Sequence, residues 1–295
     1  MREIVVLSGK GGTGKTVVAA SFAALADSKV LCDCDVDAAN LHLVLQPTVK
    51  ETHEFWGPKV AVIDQETCTR CGLCVDACRF DAVREFQVDP FACEGCGLCL
   101  HVCPERAVTM VDRLAGHWYL SDTRYGPLVH ARLGAGQENS GRLVAAVRQR
   151  ARAIAEGEGS AYILSDGPPG IGCPVISSLS GASLALIVTE PSLSASHDLK
   201  RVLAVSGHFR VPALVCINKY DLDEGNSRHI ESYCRDVGID VGAKIPFDTA
   251  VTDAITHGVP VVEFGDGIVS RRIEELWTAV AGRSEDAGRH GSSRW

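Results

Sequence analysis

The sequence predicts an α/β fold: a three-layer domain with a mostly parallel sheet, interrupted by a small inserted α+β domain. Apolar strand-like runs alternate with helix-length segments along most of the 295 residues. A glycine-rich loop follows the first of these runs, and two cysteine-rich runs of identical spacing break the alternation between about residues 58 and 112. Continuously apolar runs are typical of parallel strands that are covered on both faces.

The composition suits a globular chain with one large core, or with a core and a small second unit, since 46% of the residues are hydrophobic. A net charge of -8 gives no diffuse basic field for nucleic acid or an anionic membrane. The N-terminus lacks the features of a secretory signal, and no apolar run approaches a membrane span of about 18 residues. We therefore expect a cytoplasmic protein without nucleic-acid binding or stable membrane insertion. Thirteen cysteines then indicate metal or redox chemistry.

The glycine-rich loop is the first candidate site. Residues 9–14 connect a predicted strand over 4–8 to a predicted helix over 15–26. Glycines at such a junction let backbone N–H groups surround an anion at a helix N-terminus. The motif predicts that Lys15 reaches the β- and γ-phosphates of a nucleotide and that Thr16 binds Mg²⁺. The expected phosphate-binding residues are Gly11, Gly12, Thr13, Gly14, Lys15 and Thr16.

An additional lysine at position 10 gives this loop a family resemblance. The run 10–16 resembles the deviant Walker A motif of the MinD/ParA-type P-loop ATPases, which belong to the CobQ/CobB/MinD/ParA superfamily. In that family the first lysine reaches across a dimer interface to the partner's nucleotide. The resemblance therefore implies an ATPase in which Lys10 and Lys15 are catalytic, and an ATP-bound homodimer or a heterodimer with a related ATPase.

Two acidic segments extend the resemblance. The run 33–41 resembles the switch I segment of the family, which implies that Asp35 orients the attacking water and that Asp33 lies near Mg²⁺. Carboxylates at positions i and i+2 of a strand point to the same side, as this site requires. The run 166–170 follows an apolar strand and resembles switch II.

The switch II resemblance implies two further contacts. Asp166 would hold Mg²⁺ through water, and the N–H group of Gly170 would sense the γ-phosphate. Base recognition is expected from two other segments, because 218–221 resembles both the adenine-side segment of the family and the GTPase signature, while 245–248 resembles the segment that packs against adenine. ATP is favoured over GTP because the Lys10 loop belongs with ATPases. The expected base-binding residues are Asn218, Pro246, Phe247 and Asp248.

Eight of the cysteines form two copies of one pattern. Two, two and three residues separate the cysteines within each run, and the second run repeats the first with an offset of 25 residues. This spacing resembles that of bacterial two-cluster ferredoxins, in which the fourth cysteine of each run binds the cluster of the other run. Structural zinc is less favoured, because zinc sites usually pair two Cys-x-x-Cys elements. The resemblance implies one [4Fe-4S] cluster on Cys68, Cys71, Cys74 and Cys103, and a second on Cys78, Cys93, Cys96 and Cys99.

The predicted organisation is an ATPase domain over 1–57 and 113–282, a ferredoxin-like insertion over 58–112, and a disordered tail over 283–295. Because the insertion lies between the two switch segments, the leading hypothesis is a slow, dimer- or partner-stimulated ATPase. In this hypothesis the ATPase couples its nucleotide state to electron transfer or metallocluster handling, and its partner is a redox or metallocluster protein. The alternative is a MinD/ParA-like positioning or scaffolding ATPase whose clusters form a structural or partner-docking module.

Overall fold

The computed structural model describes residues 1–134 and 141–289, with side chains as far as residue 283. These residues form two compact units. Unit 1 comprises 1–52, 118–132 and the described residues from 141 onward, and unit 2 comprises 53–117 together with 133 and 134. The boundaries that the sequence predicts for the insertion, 58 and 112, lie within unit 2.

A nine-stranded sheet organises the described part of unit 1, with some strands continuing beyond it. Its order is β13-β12-β11-β1-β10-β2-β9-β8-β3, and every pairing from β13 to β9 is parallel. The prediction of an α/β fold with a mostly parallel sheet is therefore confirmed. The strands are β1 (Arg2–Ser8), β2 (Lys29–Asp33), β3 (Thr48–Trp56), β8 (Leu114–Thr123), β9 (Gly126–Leu133), β10 (Tyr162–Pro169), β11 (Leu184–Thr189), β12 (Ala213–Asn218) and β13 (Asp240–Ile245).

Helices cover both faces of this sheet because its central strands bury apolar side chains on both faces. Ile4 and Val6 of β1 belong to one core cluster, whereas Val5 and Leu7 belong to another, as expected when successive side chains point to opposite faces. The helices of unit 1 are α1 (Lys15–Leu25), α2 (Leu41–Leu45), α5 (Arg142–Glu158), α6 (Cys173–Leu179), α7 (Leu193–His208), α8 (Glu224–Asp236), α9 (Ala250–Thr256), α10 (Val261–Phe264) and α11 (Ile268–Arg289).

The C-terminal helix α11 packs on the core through its apolar stripe. Leu276 and Val280 are fully buried, and the Trp277 ring lies 5.0 Å from that of Phe22 and 5.4 Å from that of Tyr162. The helix includes residues 283–289, for which the sequence predicts disorder, and residues 290–295 lie outside the described part of the chain. None of the helices in the described ranges combines the length and apolar character needed to cross a bilayer.

Unit 2 repeats one small motif. Each short helix begins after a glycine with positive φ, Gly72 at 87° and Gly97 at 72°, directly behind the second cysteine of a run. The two helices pack together over two small antiparallel sheets, β4 with β7 and β5 with β6. The elements are β4 (Val60–Ile63), α3 (Leu73–Ala77), β5 (Val83–Arg84), β6 (Gln87–Val88), α4 (Leu98–Val102) and β7 (Val108–Val111).

Candidate functional site

The glycine loop joins β1 to α1, and the end of β12 contacts its backbone. Gly12 and Gly14 have φ angles of 79° and 97°, which favour glycine. A Cβ atom on Gly14 would lie 2.3 Å from Asn218 Nδ2, and the same amide donates a hydrogen bond of 2.8 Å to the Thr13 carbonyl. The end of β12 therefore fixes the loop in an open curve at the edge of the sheet where parallel strands end, the usual ligand site of such sheets.

Buried carboxylates gather beside this loop. Asp33 ends β2 and pairs in register with Asp166 of β10. The Thr16 hydroxyl donates to Asp166 Oδ2 at 2.6 Å. The backbone N–H groups of Asp35 and Leu41 donate to the two oxygens of Asp33, at 3.1 and 3.3 Å. The strand tips and the first turn of α1 thus bring the predicted switch and loop residues together.

Two of the buried carboxylates, Asp35 and Asp166, have Lys15 as a basic neighbour. Burial, with the charge of Asp166 as the next cause, raises the pKa of Asp33 well above its ordinary value. Burial also raises the pKa of Asp166 to about 6 and that of Asp35, although Lys15 opposes both shifts. Lys15 Nζ lies 3.9 Å from Asp35 Oδ2. The protein therefore does not fully compensate the ionised forms of these carboxyl groups, as expected where a cation binds.

The donor set fits Mg²⁺. Asp166 Oδ1 is buried and has no hydrogen-bond partner among the described residues. Carboxylate and hydroxyl oxygens are the hard ligands that Mg²⁺ prefers, usually with several retained waters. The residues that would hold the ion are Thr16, Asp33 and Asp166, directly or through water.

A cavity of about 610 Å³ opens over the loop. Its far wall is apolar and comes from α2, α9 and the segment after β13, with the Phe247 side chain half exposed. This size and this combination of polar and apolar walls are typical of small-molecule sites. Ten residues predicted from the sequence line the cavity: Gly11, Gly12, Gly14, Lys15, Thr16, Asp35, Asn218, Pro246, Phe247 and Asp248.

Two predicted residues make other contacts in this structure. The Gly170 N–H donates to the Ser8 carbonyl at 2.9 Å, so it would have to leave that bond to reach a γ-phosphate. Lys10 does not line the cavity, since its ammonium forms a 2.6 Å ion pair with Glu190 at the end of β11. Gly170 belongs to the predicted switch II segment, and Lys10 belongs to the predicted phosphate loop.

A family model spans nearly all of this architecture. Residues 4–261 match the model of the CobQ/CobB/MinD/ParA nucleotide binding domain. The chain belongs to this family. An uncharacterized protein of Methanocaldococcus jannaschii is 32% identical over 278 residues, covering 93% of this chain and 95% of that protein. A putative septum site-determining protein MinD of Mesostigma viride is 27% identical, covering 88% of this chain and 76% of that protein.

Solved structures agree on the fold of this CobQ/CobB/MinD/ParA member. The septum site-determining protein MinD from Pyrococcus horikoshii OT3, in complex with Mg-ADP, superposes with a TM-score of 0.60 at 19% identity. The match covers 96% of this chain and 98% of that one. At this identity the similarity establishes the shared α/β architecture.

All cysteines of the chain are free thiols. Eight of them line two cavities in unit 2, four in each. The cavities are small, about 20 and about 10 Å³. One is lined by Cys78, Cys93, Cys96 and Cys99, and the other by Cys68, Cys71, Cys74 and Cys103. As the side chains stand, no group of three or more His, Cys, Asp or Glu residues in the described chain is close enough to hold a metal ion.

Burial dominates the electrostatics of both cysteine sets. It raises the pKa of Cys74, and the neighbouring Cys68, Cys71 and Cys103 raise it further. It likewise raises the pKa of Cys99, with smaller contributions from Cys93 and Cys96. A positively charged group among these cysteines would oppose the shifts and favour the thiolate form.

The sequence indicated Pro246 and Phe247 of the apolar wall, but not the rest of that wall or the charged group around Lys10. The other residues of the apolar wall are Leu43, Val44, Val251 and Ile255. Glu190 directly follows an apolar strand, at the sheet edge where ligands bind, and this position was the signal that could have identified it.

Proposed function

We propose that the chain is an ATP-binding and ATP-hydrolysing protein of the MinD/ParA type that carries two [4Fe-4S] clusters in unit 2. The observation that carries the ATPase part is that Lys15, Thr16 and Asp35 line one cavity. Asp166 accepts the Thr16 hydroxyl, and Asp33 pairs in register with Asp166. Segments far apart in the chain supply these groups, and together they match the requirements of phosphoryl transfer, which are positioning and charge stabilisation.

Each residue has a proposed role. The Lys15 ammonium, 6% exposed beside the loop, neutralises the β- and γ-phosphates. Asp35 is the group that lines the cavity with a carboxylate of raised pKa, so it orients the attacking water and accepts hydrogen bonds from it. Bound Mg²⁺ supplies Lewis-acid stabilisation of the phosphate oxygens.

The base site supports ATP over GTP. Its wall consists largely of apolar side chains, which suit the face of a purine. Asp221, the acidic residue of the GTPase-like segment, accepts the Phe247 N–H at 2.7 Å through Oδ1 and is not among the lining residues in the described chain. A comparison of ATP and GTP as competitors for one labelled nucleotide tests this preference.

The partition of the cysteines carries the iron–sulfur part of the proposal. The two four-cysteine cavities contain the same sets that the crossed ferredoxin pairing requires, with Cys103 among the first-run residues and Cys78 among those of the second. Clusters in these sites would supply one-electron transfer chemistry. Free thiols in sets of four are the ligand set that such clusters need.

Two roles for the ATPase cycle remain distinct. The comparisons support a MinD/ParA-like positioning or scaffolding ATPase better, because curated relatives include putative septum site-determining proteins. In that role the clusters serve as a structural or docking module. The second role, coupling to electron transfer or metallocluster handling with a redox partner, is supported by Cys71 and Cys96, which are exposed and would leave the clusters open to a partner. In both roles we propose a homodimer, or a heterodimer with a related ATPase.

Anaerobic purification with iron and sulfide counting tests the cluster proposal, with about eight irons per chain expected. Phosphate release from ATP, compared between the wild type and Lys15→Ala, tests the ATPase proposal. Zinc in place of iron would refute the first, and phosphate release that is independent of Lys15 would refute the second. EPR spectra that change on ATP addition would favour coupling, whereas unchanged spectra with nucleotide-dependent localisation would favour positioning.

A further inference from the structure

Glu190 lies at the centre of a charged cluster beside the phosphate loop. Its Oε1 is 2.6 Å from Lys10 Nζ, and its Oε2 is 3.5 Å from Lys219 Nζ. The three side chains are only 21% to 31% exposed, so solvent screens these pairs incompletely. One carboxylate therefore binds two lysines that come from different loops.

Both lysines have further partners that tie the cluster to the loop. The Lys10 ammonium also donates to the hydroxyls of Ser192 and Ser194, at 3.1 and 3.2 Å. The Lys219 ammonium donates to the Gly12 carbonyl at 3.1 Å, and both Lys219 and Gly12 line the nucleotide cavity. Lys10 is thus fully occupied by three side chains at the end of β11 and the start of α7.

The charge of this cluster matters for a polyanion. Burial alone would raise the pKa of Glu190, but hydrogen bonds and charge from Lys10 and Lys219 outweigh it and hold that pKa below its ordinary value. Glu190 is therefore ionised at neutral pH and reduces the cluster from two positive charges to one. An ammonium with a carboxylate and two hydroxyls around it has no donor to spare for a phosphate, since it carries only three.

We propose that Glu190 restrains the phosphate site by holding Lys10 in an ion pair. A nucleoside triphosphate must therefore displace Glu190 from Lys10 before this lysine can contact the triphosphate. The inference rests on the nucleotide site proposed above and deepens it. It is the same whether the triphosphate belongs to this chain or to a second copy. Glu190 is accordingly a positioning residue that sets how strongly the triphosphate is preferred over the diphosphate.

The test is nucleotide binding by Glu190→Gln, which keeps the shape of the side chain but removes its charge. With Mg²⁺ present, we expect ATPγS to bind Glu190→Gln about two- to fivefold more tightly than it binds the wild type. This is the range that the loss of a partly exposed ion pair supports. The gain for ADP should be smaller, because ADP carries less charge and lacks the γ-phosphate. Most of the gain should disappear when both proteins also carry Lys10→Ala.

Two further variants keep the test decisive. Glu231→Gln removes a similarly buried carboxylate from the Lys244 pair at 2.8 Å, and should leave both affinities unchanged. Ser194→Ala removes one hydroxyl partner of Lys10 without changing any charge, and should shift ATPγS affinity in the same direction as Glu190→Gln by a smaller factor. This variant also supplies an answer if Glu190→Gln does not fold.

The outcomes separate the two proposals. Weaker ATPγS binding by Glu190→Gln, or a gain of equal size in the Lys10→Ala background, overturns the restraint and leaves the nucleotide site standing. A wild-type protein that binds neither nucleotide, or binds both independently of Lys15, overturns the proposed ATPase together with the inference. Tighter triphosphate binding that depends on Lys10 supports both.

Discussion

Replacing Asp166 by Asn should stabilise the metal-free protein while it weakens Mg²⁺ binding. Burial raises the pKa of Asp166 from 3.8 to about 6. A carboxyl group that binds its proton more tightly in the folded state loses stability as the pH rises through this range, and the full cost is present at neutral pH. A difference of about 2 pKa units corresponds to about 3 kcal/mol.

Asparagine should recover only part of this energy. The amide oxygen of asparagine can still accept the Thr16 hydroxyl, which now donates to Oδ2. The amide nitrogen then takes the place of Oδ1, which is buried and has no hydrogen-bond partner in the described chain. In the opposite orientation the nitrogen would take the place of the Thr16 acceptor. An unpaired buried donor costs about 1–2 kcal/mol. We therefore expect a net gain of about 1–2 kcal/mol at pH 7.5, which is a few degrees in apparent melting temperature. Near pH 5 the gain should fall to about half or less, because the wild-type carboxylate is then largely protonated.

The assay is thermal unfolding in chelator, and then with increasing Mg²⁺ and ATPγS. Wild type should gain stability as the ligands are added, and Asp166→Asn should gain much less. Asp236→Asn, a change at an exposed carboxylate on α8, is the matched control and should show neither effect. An Asp166→Asn protein that melts below the wild type in chelator, or that responds to Mg²⁺ as the wild type does, would refute the reasoning.

Two other substitutions test the crossed cysteine sets and the support of α6. Cys103→Ser should lower the iron content from about eight to about four per chain. Cys173→Ser, at an exposed cysteine outside both cavities, should leave the iron content unchanged. Loss of all iron, or of none, in Cys103→Ser would contradict the assignment. Arg148→Ala should cost about 3 kcal/mol in chemical denaturation, because Arg148 is buried, pairs with Glu3 at 2.6 Å and donates to two carbonyls at the end of α6. The same change at Arg150, a more exposed neighbour on α5, should cost about 1 kcal/mol or less, and equal losses would show that burial of the Arg148 pair has no special weight.

Local signals in the sequence were sufficient to predict the strands and the loop, and they indicated most residues of the candidate site. The run 184–188 is apolar throughout, and the structure places β11 over 184–189, because a strand buried on both faces needs few polar positions. The glycines of the loop predict its curvature, since Gly12 and Gly14 adopt positive φ. Equal cysteine spacing likewise predicts two equivalent small units, and α3 and α4 follow that repeat.

Contacts between distant segments could not be predicted in the same way. Lys10 and Ser192 are 182 positions apart, and nothing in either segment identifies the other as its partner. The pairing arises because the parallel sheet brings the ends of β1 and β11 side by side. The bond between Gly170 and Ser8 has the same origin, since β10 lies on the other side of β1. Sequence patterns therefore indicated the candidate ligand groups, and only the sheet order showed which of them contact one another.

The three contacts that occupy these groups explain why nucleotide binding would change the protein as well as fill its cavity. Thr16 binds Asp166, Lys10 binds Glu190, and the Gly170 N–H binds the Ser8 carbonyl. Each pair joins a group proposed for Mg²⁺ or phosphate to a different strand end. A triphosphate with its metal can replace all three partners, whereas a diphosphate lacks the γ-phosphate proposed to draw the Gly170 N–H away. Because a ligand shifts an equilibrium only by its differential affinity for the two states, this difference in replaced contacts is what would separate the ATP state from the ADP state.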